Sequence, residues 1–135
     1  MTLPTALAQK KQWTYSQLLE VLDEDISCEL IDSQIYPMPS PSAEHQEISG
    51  IMEFLMRLAL MQNKTNGKIF DAPFDVVLSE SKVVQPDIFY ITAEKTSQIE
   101  KKCFRGAPDL VVEVVSDTSL QRDYSPNANF MNALG

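Results

Sequence analysis

The chain has 135 residues, enough for one domain with a real core and too few for two. It is 44% hydrophobic and 22% charged, with a mean hydropathy of -0.16, as expected of a soluble globular protein. Its formal charge of -8 argues against a general nucleic-acid coating protein, because phosphate binding is driven largely by Lys and Arg. That charge is still compatible with an enzyme that has an acidic metal site and a local basic rim.

In chain order, residues 1–12 are polar and aperiodic and read as a flexible N-terminal arm ahead of a domain over 13–135. They carry no positive segment followed by an apolar block, so no secretory signal is visible. Thr14 and Gln17 form a capping-box pattern, which predicts a short helix to about Leu22 with Leu18, Leu19 and Leu22 turned inward. Two short strands, Ser27 to Ile31 and Gln34 to Met38, are predicted to join at Asp32-Ser33 as a hairpin. Ser40-Pro41 suits a helix start, and Ala43 to about Gln62 is the best helix in the chain. Ile48, Ile51, Met52, Leu55, Leu58 and Ala59 recur at helical spacing, and Phe54, Met56 and Leu60 widen the apolar surface. A helix this apolar is expected to be covered on more than one side. Its longest apolar-rich stretch, Ile48 to Met61, is interrupted by Glu53 and Arg57 and is too short to span a bilayer.

Beyond Asn66-Gly67 the period changes. Strands are predicted over Lys68 to Phe70, Phe74 to Leu78, Val83 to Ile91 and Asp109 to Val115, the last being apolar enough for a central buried strand. Ser116 to Ser119 read as a loop and Arg122 to Leu134 as a helix. The order points to an α/β (α+β) domain with a mixed central sheet flanked by helices, and a further strand is expected where the chain stops. Cys28 and Cys103 form no CxxC pair, and with one histidine they cannot complete a structural zinc site. Free thiols in a reducing cytosol are expected.

Two carboxylates interrupt apolar strands. Alternation puts Gln85, Asp87 and Phe89 on one face, and Asp109, Val111, Glu113 and Val115 on another. Glu113 stands among four valines, and burying an unpaired carboxylate there would cost roughly several kcal/mol. If the two strands are neighbours, Asp87 and Glu113 can converge on one divalent cation, which would leave positions open for a phosphate oxygen and a water. The structural alternative is that Asp87 ends an edge strand after Pro86 while Glu113 pairs with Arg57 or Arg105. Glu29 is either a further ligand of metal or water, or an exposed hairpin carboxylate. His45, at the start of a helix, is either a surface or capping residue or a general base. Lys95, Lys101, Lys102 and Arg105 form the one basic cluster, either a solvated loop or a DNA-contacting face.

Several runs occur in an order and spacing that resemble a known family: Glu29 to Asp32, Met38 to Ser42, His45, Phe74 to Leu78, Val84 to Asp87, Arg105 to Glu113, Val115-Ser116 and Asp123. The resemblance is to the Uma-two family of restriction endonucleases, within the PD-(D/E)xK nuclease superfamily, and extends from about Trp13 to Gly135. It implies a restriction-endonuclease-like fold, Mg2+ as cofactor, DNA as partner and hydrolysis of phosphodiester bonds by a cytoplasmic protein, in many such enzymes a homodimer. By position Asp87 matches the Asp of the "PD" element, Glu113 the acidic residue of "(D/E)xK", and Glu29 the acidic position of the first hairpin.

The departures concern the lysine. Val115 stands where the simplest motif has it, and the family more often carries it on the following helix, four residues before a tyrosine and eight before a glycine. Counted back from Gly135, those positions hold Asn127 and Met131. The family also continues into a further strand that closes the sheet. The expectation is a magnesium-dependent DNA endonuclease impaired at Asn127. The alternative is a catalytically degenerate DNA-binding or protein-interaction domain on the same fold.

Overall fold

The computed structural model describes residue 7 and residues 9–115. The predicted loop after Val115, the helix over Arg122 to Leu134 and the Asn127 position lie outside them. The first helix, α1 (Tyr15–Val21), starts where the capping box places it. The Gln17 backbone N–H donates to Thr14 Oγ1 at 3.2 Å, and the Thr14 N–H to Gln17 Oε1 at 3.1 Å. Tyr15 and Leu18 are buried and Leu22 packs against the same cluster, whereas Leu19 is exposed. Leu18 and Leu19 lie about 100° apart around the helix, so a surface covering one side of it takes only one of them.

Strands β1 (Cys28–Ile31) and β2 (Gln34–Pro37) form the predicted hairpin. Asp32 and Ser33 have φ of 50° and 63°, as a two-residue type I′ turn requires. Ser42 then caps α2 (Ala43–Gln62), its Oγ accepting from the His45 N–H at 3.1 Å. No residue of α2 is buried. Ile48, Ile51, Met52, Phe54, Leu55 and Met61 are all exposed, so the expected cover on more than one side is not provided by the described residues. The helix packs mainly against β3 among the described strands, and its Arg57 donates to the Ile69 carbonyl at 3.1 Å while pairing with Glu53 one turn back.

The remaining strands are β3 (Lys68–Asp71), β4 (Asp75–Ser79), β5 (Lys82–Val84), β6 (Ile88–Ile91), β7 (Cys103–Arg105) and β8 (Leu110–Val112). A 3-10 helix over Ala93–Gln98 and strand β7, neither predicted, lie between β6 and β8. Instead of one central sheet, the described residues form two. A five-stranded mixed sheet runs β2-β1-β5-β4-β7, parallel only at β4–β7, and a three-stranded antiparallel sheet runs β3-β6-β8. The predicted strand Val83 to Ile91 is divided between them. Pro86 has no N–H to offer a ladder, and the chain leaves one sheet at Gln85 and joins the other at Ile88. Alternation therefore does not carry across the break, and Gln85 and Asp87 face different elements. The predicted central strand Asp109 to Val115 is shorter, and its described part pairs only with β6, the middle strand of its sheet.

Two apolar clusters hold the layers together. Under α1 and the arm, Leu7, Trp13, Tyr15 and Leu18 pack on Leu30, Val77, Val83 and Cys103. Between the sheets, Val76, Val84 and Phe104 meet Phe89 and Ile91. Phe70, Phe74, Phe89 and Phe104 continue that cluster as a chain of rings with successive centroids 4.9 to 6.1 Å apart. Alternate residues of β4 and β5 thus serve the two faces of the larger sheet: Val77 and Val83 face α1, while Val76 and Val84 face the smaller sheet.

Candidate active site

In the smaller sheet β6 and β8 are antiparallel, with Ile88 opposite Val112, Phe89 opposite Val111 and Tyr90 opposite Leu110. Continued one residue past Ile88 and Val112, that register would bring Asp87 opposite Glu113, each just outside its strand. Directly opposed residues of an antiparallel pair project to the same face, so this continuation would make the two acidic residues singled out in the sequence cross-strand neighbours, and the bond from the Val114 N–H to Asp87 Oδ2 ties the two segments together there. Arg57 and Arg105, the alternative partners considered for Glu113, form ion pairs with Glu53 and Glu100.

Asp87 is held at both its backbone and its side chain. Its carbonyl accepts from the Ala72 N–H at 3.0 Å. Its Oδ2 lies 2.7 Å from the Val114 N–H and 3.1 Å from His45 Nε2, in a setting where the His45 and Asp87 side chains are 18% and 15% exposed. Oδ1 accepts no hydrogen bond among the described residues.

Glu29 is 1% exposed, which rules out the exposed-hairpin reading. Its Oε1 accepts from the backbone N–H of Gln85 at 3.0 Å, so it is tied to the chain two residues before Asp87.

Behind this wall lies a polar row that the sequence reading missed. Asp75 pairs with Cys103 across β4 and β7, and the β1–β5 and β5–β4 registers, continued to Gln85 just past β5, extend the row to Cys28. Asp75 Oδ1 accepts from Gln85 Nε2 and Oδ2 from the Tyr15 hydroxyl, each at 2.8 Å, and the Ser27 hydroxyl donates to Gln85 Oε1. Burial, then the hydrogen bond to Asp75, raises the Tyr15 phenol well above its ordinary value. Burial pushes both thiols up to about 11, with Asp75 and Glu29 adding to the effect at Cys28 and Glu100 at Cys103. The cavity lined by Tyr15, Cys28, Asp75 and Gln85 measures about 50 Å³, which suits water rather than a substrate. Asp75 opens the apolar run Val76-Val77-Leu78, so the burial argument used for Glu113 could have flagged it.

The basic cluster is largely neutralised. Lys95 pairs with Asp109, Lys102 with Glu24 and Arg105 with Glu100. No group of three or more His, Cys, Asp or Glu side chains that could hold a metal ion occurs among the described residues. Magnesium needs less than that: one or two carboxylates, with water and phosphate oxygens completing the shell. Asp87, whose Oδ1 accepts no hydrogen bond among the described residues, and Glu113 on the neighbouring segment are of the donor type that set requires.

A mixed sheet packed on a smaller sheet, with helices outside and two acidic residues at facing strand ends, is a nuclease-like α+β fold. A solved structure described as "a putative nuclease belonging to DUF820" from Anabaena variabilis superposes with a TM-score of 0.64 at 18% identity, over 88% of this chain. At that identity the likeness speaks for the fold alone. The match covers 64% of that protein, so this chain spans under two thirds of its length. Residues 13–128 match the Uma2 family, described as "Putative restriction endonuclease", and the chain belongs to that family. No curated protein matches it.

Proposed function

We propose that the chain is a magnesium-dependent DNA endonuclease, hydrolysing phosphodiester bonds at Asp87 and Glu113 and slowed by the absence of a lysine at Asn127. The observation that carries this reading is the β6–β8 register, which extended by one residue would set the two carboxylates opposite each other, with Oδ1 of Asp87 accepting no hydrogen bond among the described residues. A bound magnesium ion would polarise the phosphate and lower the pKa of a coordinated water. Asp87 and Glu113 are the residues that would hold it. Glu29 is assigned to the same site as a further carboxylate, because its bond to the Gln85 N–H fixes it next to the segment that carries Asp87.

The lysine of such a site orients the attacking water and offsets charge developing on the phosphate. Asparagine can donate a hydrogen bond but brings no charge, and removing one preorganised donor of this kind costs on the order of a hundred- to thousandfold in rate. The proposal extends to a cytoplasmic homodimer, the arrangement that brings one site to each DNA strand. Among the described residues no helix is long and apolar enough to cross a membrane. Plasmid nicking tests the reading. Slow magnesium-dependent nicking is expected, abolished by EDTA and by Asp87→Ala, and faster in Asn127→Lys.

The second reading is a catalytically degenerate domain that binds DNA or a protein partner. The observation favouring a protein partner is α2, whose large apolar side chains are exposed. Absence of nicking in both the natural chain and Asn127→Lys would favour that reading.

A further inference from the structure

His45 is the one histidine of the chain, and it reaches the candidate site from an element that otherwise contributes little to the core. We propose that His45 is a positioning residue for Asp87. With the Val114 N–H it occupies Oδ2, and it thereby presents Oδ1 to the divalent cation. The inference rests on the metal reading of Asp87 and Glu113 given above.

Three elements meet at one oxygen atom. The residue just before β6 supplies the carboxylate, the segment just after β8 supplies the Val114 N–H at 2.7 Å, and the first turn of α2 supplies His45 Nε2 at 3.1 Å. A carboxylate held by one hydrogen bond can still rotate about its Cβ–Cγ bond. Two donors arriving at the same oxygen from different elements fix its plane and leave the other oxygen directed elsewhere. The Asp87 backbone cannot compensate by shifting, because its carbonyl is held by the Ala72 N–H.

The same geometry decides between positioning and ligation. Oδ2 of an ionised carboxylate only accepts, so Nε2 must carry the hydrogen, and a ring nitrogen that carries hydrogen has no lone pair for a cation. Placement of His45 is also independent of the core. Its N–H is fixed by the Ser42 cap, and α2 buries none of its residues. His45 belongs to neither the cluster under α1 nor the one between the sheets, so truncating it leaves both intact and a change in metal binding would not be a by-product of unfolding.

The experiment is a titration of the full chain with Mn2+, followed by the loss of the free-ion electron paramagnetic resonance signal, with melting recorded for every variant. Asp87→Ala should abolish binding. His45→Ala should weaken it about 10- to 100-fold with the melting curve unchanged. His45→Gln, whose side-chain amide can donate at similar reach, should recover most of the loss. If His45→Ala binds like the natural chain while Asp87→Ala does not, the positioning role is wrong and the metal site stands. If the natural chain binds no Mn2+, or Asp87→Ala binds as well as it does, the metal reading falls and this inference falls with it. A nitrogen coupling to bound Mn2+ in pulsed spectra could come from no other imidazole in this chain, so it would make His45 a ligand and overturn the positioning role.

Discussion

Replacing Tyr15 with Phe removes one atom from the buried row under α1 and nothing else. The hydroxyl donates to Asp75 Oδ2 at 2.8 Å, Tyr15 is 4% exposed, and Phe keeps the ring among Leu18, Leu30 and Val77, so no cavity opens. The loss is therefore that of a hydrogen bond to a charged acceptor, about 1.5 to 3 kcal/mol when fully enclosed. Asp75 is only partly buried, so water can replace part of the lost bond and the expected cost is about 1 to 2 kcal/mol. Urea unfolding at pH 7, with a slope on the order of 1.5 kcal/mol per molar, should show a midpoint lower by roughly 1 M at unchanged slope. A cycle with Asp75→Asn isolates the pair, and Tyr15→Phe should cost much less in that background. A cost under about 0.3 kcal/mol, or equal costs in both backgrounds, would refute the reasoning and remove Asp75 as the anchor of α1 over the larger sheet.

The buried thiols set an alkaline limit. Both have folded-state pKa values raised from 9.0 to about 11, so their contribution is fully present below pH 9 and is lost as pH rises through 11. Stability measured by urea unfolding should fall across that interval, less steeply in Cys28→Ala, and a thiol reagent at pH 8 should modify neither cysteine before unfolding. The exposed face of α2 makes an opposite prediction. Ile51→Gln and Phe54→Gln should each change stability by less than about 0.5 kcal/mol, whereas Val76→Ala, fully buried between the sheets, should cost over about 1 kcal/mol in the same assay.

Elements set by local chemistry were the most legible in the sequence. The Thr14–Gln17 capping box, the Asp32-Ser33 turn and the helix over Ala43–Gln62 are where composition and spacing put them, although that helix is capped by Ser42 and not by Ser40. What escaped depends on contacts between distant segments. The strand expected over Val83 to Ile91 ran through Pro86, and no local rule says that the chain there leaves one sheet and joins a second. The three residues of β7, Cys103–Arg105, are too few to show a period and are held by parallel pairing to β4.

The candidate site follows the same division. Asp87 and Glu113 could be singled out because a carboxylate is costly among valines, and their opposition could only be conditional on the two strands being neighbours. His45 was visible as a helix-start residue, yet its bond to Asp87 spans 42 positions and comes from how α2 lies along the sheet. Tyr15, Asp75 and Gln85 belong to three elements and become a unit only when α1 closes over the larger sheet.

The central claim is that Asp87 and Glu113 hold one divalent cation between them. Calorimetric titration of the natural chain with Mg2+, repeated on Asp87→Ala and Glu113→Ala, tests it most directly. Saturable binding of about one ion per chain, lost in each single variant while both keep the natural melting behaviour, is the predicted result. Absence of binding in the natural chain, or binding that neither substitution alters, would contradict it.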